Sequence, residues 1–160
     1  MKIGVVSDTH SLKIPPIVLK TFKTVDLIIH AGDFCSTADL EIFSRINKVQ
    51  AVYGNMDDAT LRKILPERQI LNLEGCAIGL FHGEGSAQRI LETVKTKFKG
   101  EKVTAVIFGH SHQALNEYHD GVLYFNPGSP NDMVRAPYRS FGIIEINKGK
   151  IISEIVKIKV

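Results

Sequence analysis

Ile3-Gly4-Val5-Val6-Ser7, followed at once by Asp8-Thr9-His10, holds in miniature the pattern of the whole chain. It is a short apolar run that ends in side chains able to bind metals. Five residues are too few for a stable helix, and unbroken apolar character suits a strand covered on both faces. Two further runs repeat the plan. Leu27-Ile28-Ile29-His30 leads to Gly32-Asp33, and residues 49–53 lead to Gly54-Asn55. Helical patterns separate them. Pro15 to Phe22 has prolines suited to an opening turn. A second helix starts near Ser36 or Thr37 as N-cap and carries Leu40, Ile42, Phe43 and Ile46. Such alternation predicts a parallel sheet with right-handed crossovers.

After Pro66 the rhythm changes. Residues 69–73 and 77–82, joined across Glu74-Gly75, read as a hairpin. Ser86 is placed to cap a helix through Phe98, with Ile90, Leu91, Val94 and Phe98 on one face. Residues 103–108 form another buried strand. Strands then follow at 114–119, 122–126, 141–146 and 151–159, the last alternating through Ile151, Val156, Ile158 and Val160. A mixed sheet followed by antiparallel strands predicts a β-sandwich flanked by helices. No linker or repeat interrupts it, so residues 1–160 are expected to form one domain.

At 160 residues, a chain buries roughly 70% of its extended surface and needs no disulfide or structural zinc. The formal charge of +3 is small. Its densest basic group, Lys95, Lys97, Lys99 and Lys102, reads as a solvated helix face, which argues against a nucleic-acid partner. Cys35 and Cys76 share no metal-binding or redox spacing and are expected to be reduced thiols, which suits a cytoplasmic protein. Lys2 to Val6 already reads as a strand, so no signal peptide is expected, and no apolar run is long enough to span a bilayer.

The chemistry lies in five blocks: Asp8-Thr9-His10, Gly32-Asp33, Gly54-Asn55, His82-Gly83 and Gly109-His110-Ser111-His112. Each follows a predicted strand, at the end where parallel sheets place their binding crevices. In extended chain, residues i and i+2 point the same way, so Asp8 and His10 are expected to reach one ion, as are His110 and His112. Asp33 has two oxygens with which to bridge two cations. Asn55 offers a carbonyl oxygen and an amide that can donate to phosphate. Each block alone is ordinary: Gly-Asp and Gly-Asn are common turns, and a lone histidine is more often structural. Their conjunction is not ordinary. Seven oxygen and nitrogen ligands exceed one tetrahedral site and suit two metals sharing a ligand, a device for phosphoryl chemistry.

In this order, Asp-x-His, Gly-Asp, Gly-Asn, His and Gly-His-x-His resemble the calcineurin-like metallophosphoesterases, and the Gly54-Asn55-Met56-Asp57 block resembles their small YfcE-like phosphodiesterase subfamily. The resemblance runs from Met1 through Asn126-Pro127-Gly128-Ser129 to the final strands. It implies a four-layer α/β/β/α sandwich around a dinuclear centre. One metal would be held by Asp8, His10, Asp33 and His112, the other by Asp33, Asn55, His82 and His110, with Asp33 as the bridge. The ligand set favours Mn, Ni, Fe, Co or Zn. The substrate implied is a small phosphodiester, with or without a nucleotide component, attacked by a metal-activated water. A homodimer is also compatible with the family.

Many members of the wider superfamily place a histidine after Gly-Asn, where it can protonate the leaving group. Met56 stands there instead. Asn55 and Asp57 are then the remaining candidate catalytic residues of the block, with Asp57 also readable as a cap. His30 is a candidate partner behind the ligands, and His119 reads as incidental. Arg135 and Arg139 follow the Asn126–Ser129 turn and read as loop arginines. Two alternatives stay open: a phosphomonoesterase, and a protein-interaction scaffold resembling the retromer subunit that shares the fold.

Overall fold

The computed structural model describes residues 1–159; Val160, the end of the predicted final strand, lies outside them. Two five-stranded sheets stack face to face. The first contains β1 (Lys2–Val6), β2 (Leu27–His30), β3 (Val49–Ala51), β9 (Ser140–Asn147) and β10 (Lys150–Lys157), in the order β10-β9-β1-β2-β3. The second contains β4 (Arg68–Leu73), β5 (Cys76–Phe81), β6 (Ala105–Ile107), β7 (Leu115–His119) and β8 (Val122–Asn126), in the order β4-β5-β6-β8-β7. β1, β2 and β3 are parallel, as are β5, β6 and β8, while β9, β10, β4 and β7 join antiparallel.

Strand alternation sorts the apolar residues into layers. Ile3 and Val5 of β1 and Ile29 of β2 point inward, against Ile78 and Leu80 of β5, Ile107 of β6 and Phe125 of β8. Val6 and Ile28 point outward, under α1 (Pro16–Phe22), α2 (Thr37–Ser44) and α3 (Ala59–Ile64), where Phe22, Phe43 and Leu61 are fully buried. On the far side, Val106 and Tyr124 pack under Ile90, Val94 and Phe98 of the segment around α4 (Ile90–Lys97). The expected α/β/β/α order is what forms. Each sheet seats its helix layer on a glycine: a Cβ at Gly4 would meet the Phe22 ring at 2.6 Å, and one at Gly79 the Phe98 ring at 2.6 Å.

The sequence reading needs three adjustments. α3 was not anticipated; it is capped by Asp58, whose side chain accepts the Leu61 N–H at 2.8 Å. The expected helix from Ser86 opens as a 3-10 turn (Ala87–Arg89) before α4, and the Ser86 side chain makes no capping bond. Ser36 stands at the N-cap of α2, but its hydroxyl pairs with Ser11 Oγ at 3.0 Å rather than with the helix. Among the described residues, no helix is long and apolar enough to cross a membrane.

Candidate metal centre

Five loops leave the carboxyl ends of β1, β2, β3, β5 and β6 and meet at one end of the two stacked sheets. The first two loops are zipped together by backbone bonds: Asp8 N–H to Gly32 O, His10 N–H to Asp33 O and Ser11 N–H to Phe34 O, at 2.9–3.0 Å. Gly109 N–H donates to His82 O at 2.9 Å and joins the other pair. Strand pairing thus continues past the strands and fixes the ligands in register.

The backbone of these loops departs from expectation. Asp8 and His10 do not share a side because the chain is extended. Both are left-handed, with φ of 57° and 52°, as are Asp33 (60°), His110 (69°) and His112 (60°). Asp and His enter this region more readily than bulkier residues, yet each such residue costs about 1–2 kcal/mol. Five strained residues at one point, held by the pairing of neighbouring loops, mark a functional site.

The carboxylates are divided in the same way. Asp8 Oδ2 accepts the His110 N–H at 3.1 Å, and Asp33 Oδ1 accepts the Met56 N–H at 2.8 Å. One oxygen of each is thereby anchored and the other turned to the cluster. Asp8 Oδ1 lies 3.3 Å from His112 Nε2 and 3.8 Å from both His10 Nε2 and His82 Nε2. Asp33 Oδ2 lies 3.3 Å from His82 Nε2 and 3.7 Å from His10 Nε2. An ion with bonds of ~2.0–2.1 Å spaces tetrahedral ligands ~3.3–3.4 Å apart, so little movement would be needed. Two sets of ligand atoms gather closely enough to hold an ion, Asp8-His10-His112 and Asp8-Asp33-His82.

Partners behind the rings decide which nitrogens face the cluster. His82 Nδ1–H donates to Ala31 O at 2.7 Å, and His112 Nδ1–H to Asp132 Oδ2. Both therefore turn Nε2 toward the cluster. His110 is reversed: Nε2–H donates to Gly85 O at 2.7 Å, leaving Nδ1 facing Asn55 Oδ1 at 3.0 Å. His10 sets Nδ1 against the Cys35 sulfur at 3.4 Å and Nε2 against His112 Nε2 at 3.1 Å. Atoms able to give a lone pair to a cation crowd together at these contacts, and Asp8 Oδ1 and His82 Nε2 are buried with no hydrogen-bond partner. Buried polar atoms rarely stay unpaired. The donor set is that of a cation site.

Its electrostatics agree. Burial opposes the Asp8 carboxylate, but the His82 field, followed by His112 and Ser7, holds its pKa down at about 2. Burial opposes charge on His82 too, yet Asp8 and Asp33 raise its pKa to about 9. The carboxylates draw positive charge inward. Burial raises the Cys35 pKa to about 11, so its thiol stays protonated beside His10.

His30 and Asp57 stand behind the cluster. Burial drives the His30 pKa to about 3, so the ring is neutral. Its Nδ1 accepts the Gly32 N–H at 3.1 Å, so Nε2–H donates to Thr9 Oγ1 at 3.1 Å, and Thr9 donates to Asp39 at 2.7 Å. His30 thus braces the loops of Asp8 and Asp33 rather than any ligand ring. Asp57 spends both oxygens on backbone amides, Oδ2 on Gly54 and Asp33 and Oδ1 on Cys35. It is a clasp, not a group turned to the cluster. His119 pairs with Glu117 at 3.0 Å on the surface. Asp132, Cys35 and Arg62 were missed in the sequence. Arg62 holds the carbonyls of Asn55 and Asp57 at 2.7 and 2.9 Å.

The family model of the calcineurin-like phosphoesterase superfamily domain matches residues 1–149. The chain belongs to that superfamily. A probable metallophosphoesterase of Methanocaldococcus jannaschii is 36% identical over 146 residues, covering 88% of this chain and 73% of that protein. A phosphodiesterase of the same organism is 33% identical over 142 residues, covering 80% and 83%. Among solved structures, an archaeal phosphodiesterase superposes with a TM-score of 0.77 at 27% identity, covering 98% and 100%. The zinc complex of Vps29 from Entamoeba histolytica gives 0.76 at 24%, covering 98% and 99%, a likeness of fold. The chain is a metal-dependent phosphoesterase.

Proposed function

We propose that this phosphoesterase is a phosphodiesterase working with two divalent ions. Asp8, His10, Asp33 and His112 would hold one, and Asp33, Asn55, His82 and His110 the other. The observation that carries this reading is the convergence of buried Asp8 Oδ1 and His82 Nε2, both unpartnered, with Asp33 Oδ2 between His10 and His82. Asp8 stands in both close ligand sets and Asp33 Oδ2 likewise reaches histidines assigned to both ions; Asp33 is the bridge of this proposal. When bound, such ions polarise phosphoryl oxygens and lower the pKa of a water for in-line attack. Mn, Ni, Fe, Co and Zn all suit the imidazole and carboxylate donors.

The chain's own groups orient. Asn55 is exposed at the rim, where its amide nitrogen can donate to a phosphate oxygen while Oδ1 faces His110. Asp57 and Arg62 fix the backbone that carries it. Met56, 57% exposed, has no proton to give, so good leaving groups are preferred. The proposal extends to a cytoplasmic protein with its two cysteines free, acting on a small diester rather than a nucleic acid.

The test is hydrolysis of bis-p-nitrophenyl phosphate by stripped protein, before and after Mn²⁺ or Ni²⁺ is restored, beside His82→Ala and Asp33→Asn. Turnover that returns only in the parent supports the reading. Absence of turnover at full metal occupancy removes it, and a monoesterase or scaffold takes its place.

A further inference from the structure

Leu12, Met56, Met133 and Val134 come from three separate loops, yet all stand beside the metal cluster, 55%, 57%, 54% and 95% exposed. They line one cleft of about 600 Å³ together with Asp8, His10 and His112. That volume lies within the ~300–1,000 Å³ of ordinary ligand pockets. The cleft on the other side, between Asn55, Arg62, Glu67 and Glu84, is about 200 Å³ and mixes these polar groups with Tyr53 and Phe81. The cluster therefore has one apolar flank and one flank of mixed character.

We propose that the apolar flank is the subsite for the ester arm that stays on the phosphate, and that the arm it takes is a flat aromatic group. This rests on the phosphodiesterase reading. Hydrolysis of a diester adds water oxygen to phosphorus and breaks one P–O bond, the proton going to the departing oxygen or to solvent. The second ester remains attached, and it needs a place within one bond of the ions. The apolar cleft is continuous with the ligands and supplies that place. Its chemistry fits a ring: the Met133 thioether adapts to aromatic edges, and the Arg135 guanidinium, on the same wall, can stack on a ring face, while Met56 borders the cleft beside Asn55, on the leaving-group side. The shelf is also held in position. Asp132 Oδ1 accepts the Val134 and Arg135 N–H groups at 2.7 and 3.2 Å, while Oδ2 takes the His112 Nδ1–H. One carboxylate fixes the shelf to a metal ligand.

The experiment compares phenyl p-nitrophenyl phosphate with methyl p-nitrophenyl phosphate on the Mn²⁺-loaded full chain. The same bond breaks in both. The expected phenyl preference in kcat/KM is about tenfold, the size of a modest gain in apolar contact, and it shrinks severalfold in Val134→Ser and in Met133→Ser. A preference identical in parent and variants overturns the proposal. A second readout needs no turnover: methyl resonances of Leu12, Met133 and Val134 are expected to shift with phenyl methylphosphonate and not with methyl methylphosphonate. If neither ester is hydrolysed while those methyls shift, the diesterase reading fails and the aromatic subsite stands. Silent methyls overturn the subsite. So does a dimer in sedimentation that Val134→Ser and Met133→Ser dissociate, because a second copy then covers the shelf.

Discussion

The two halves of the metal cluster are built differently. Asp8, Asp33, His82 and His112 are buried, each is gripped from behind, and the atoms they turn inward have few or no partners. Asn55 and His110 lie nearer solvent and face each other at 3.0 Å. A buried ligand without its ion is a costly unpaired group, whereas a rim ligand can fall back on water. From the difference we expect metal affinity to belong to the deep half and substrate access to the rim.

The sharpest break of that comparison is the loss of a deep ligand. His82→Ala and Asp33→Asn are expected to abolish metal-dependent turnover and lower metal occupancy measured by elemental analysis. Asn55→Ala is expected to keep substantial metal while losing activity. Equal metal loss in all three variants would erase the distinction between the halves. Next in size is Met56→His at the rim. It introduces a proton donor beside Asn55, a contribution commonly of about 10²–10⁴ in rate, and a newly placed imidazole is expected to recover only the lower part. The gain should fall on alkyl phosphodiesters and largely spare p-nitrophenyl esters, which need no acid. Parallel profiles for both ester types, with metal content unchanged, would remove Met56 from the account of leaving-group preference.

The deep half also shows what one sequence can reveal. All seven proposed ligands follow short apolar runs, so strand and candidate ligand were legible together at Asp8, Asp33, His82 and His110. The reason given for Asp8 and His10 was not right: left-handed backbone, held by pairing with the Gly32–Phe34 loop, replaces the extended chain. Backbone handedness depends on a neighbouring loop and leaves no local pattern. The same holds for partners. Asp132 reaches His112 across 20 residues and Asp39 reaches Thr9 across 30, separations that periodicity cannot bridge. The Asn126–Ser129 turn carried no role of its own in the sequence beyond the family resemblance, yet its work is tertiary: Asn126 Nδ2 donates to Gly109 O and Ser129 Oγ donates to Asp8 O. Six-residue α3 escaped because only Leu61 is buried, too little for a helical stripe.

Asp132 offers a finer test of the grip on the deep half. Its carboxylate holds the His112 Nδ1–H and makes Nε2 a better donor to a metal, a role whose loss typically costs about 10–100-fold in affinity. Asp132→Asn keeps the shape and removes the charge. Mn²⁺ titration by calorimetry is expected to weaken within that range, with the fold intact by circular dichroism. Parental affinity would show that the carboxylate only shapes its loop.

The smallest effect concerns Asp39, one layer further back. Its Oδ2 accepts from Thr9 Oγ1 at 2.7 Å and from Ser11 N–H at 3.2 Å, bracing the loop of His10 without touching a ligand. Burial raises its pKa, and the hydrogen bonds from Thr9 and Ser11 offset this only in part. A raised carboxyl pKa means that the folded chain holds this proton more tightly than the unfolded chain. Its contribution is fully present below the unfolded value near 4 and is lost as pH rises through the folded one. At neutral pH the ionised Asp39 is thus a small burden on the fold. Asparagine keeps an oxygen for both donors and carries no charge. Asp39→Asn is therefore expected to melt at or slightly above the parent at pH 7, within the ~2–4 °C that about 1 kcal/mol produces in a domain of this size. The advantage should vanish toward pH 4. A lower melting temperature at pH 7 would mean that the charge itself, through Thr9, is needed to hold the His10 loop in its left-handed course, and the deep half would then extend to a third layer of electrostatic support.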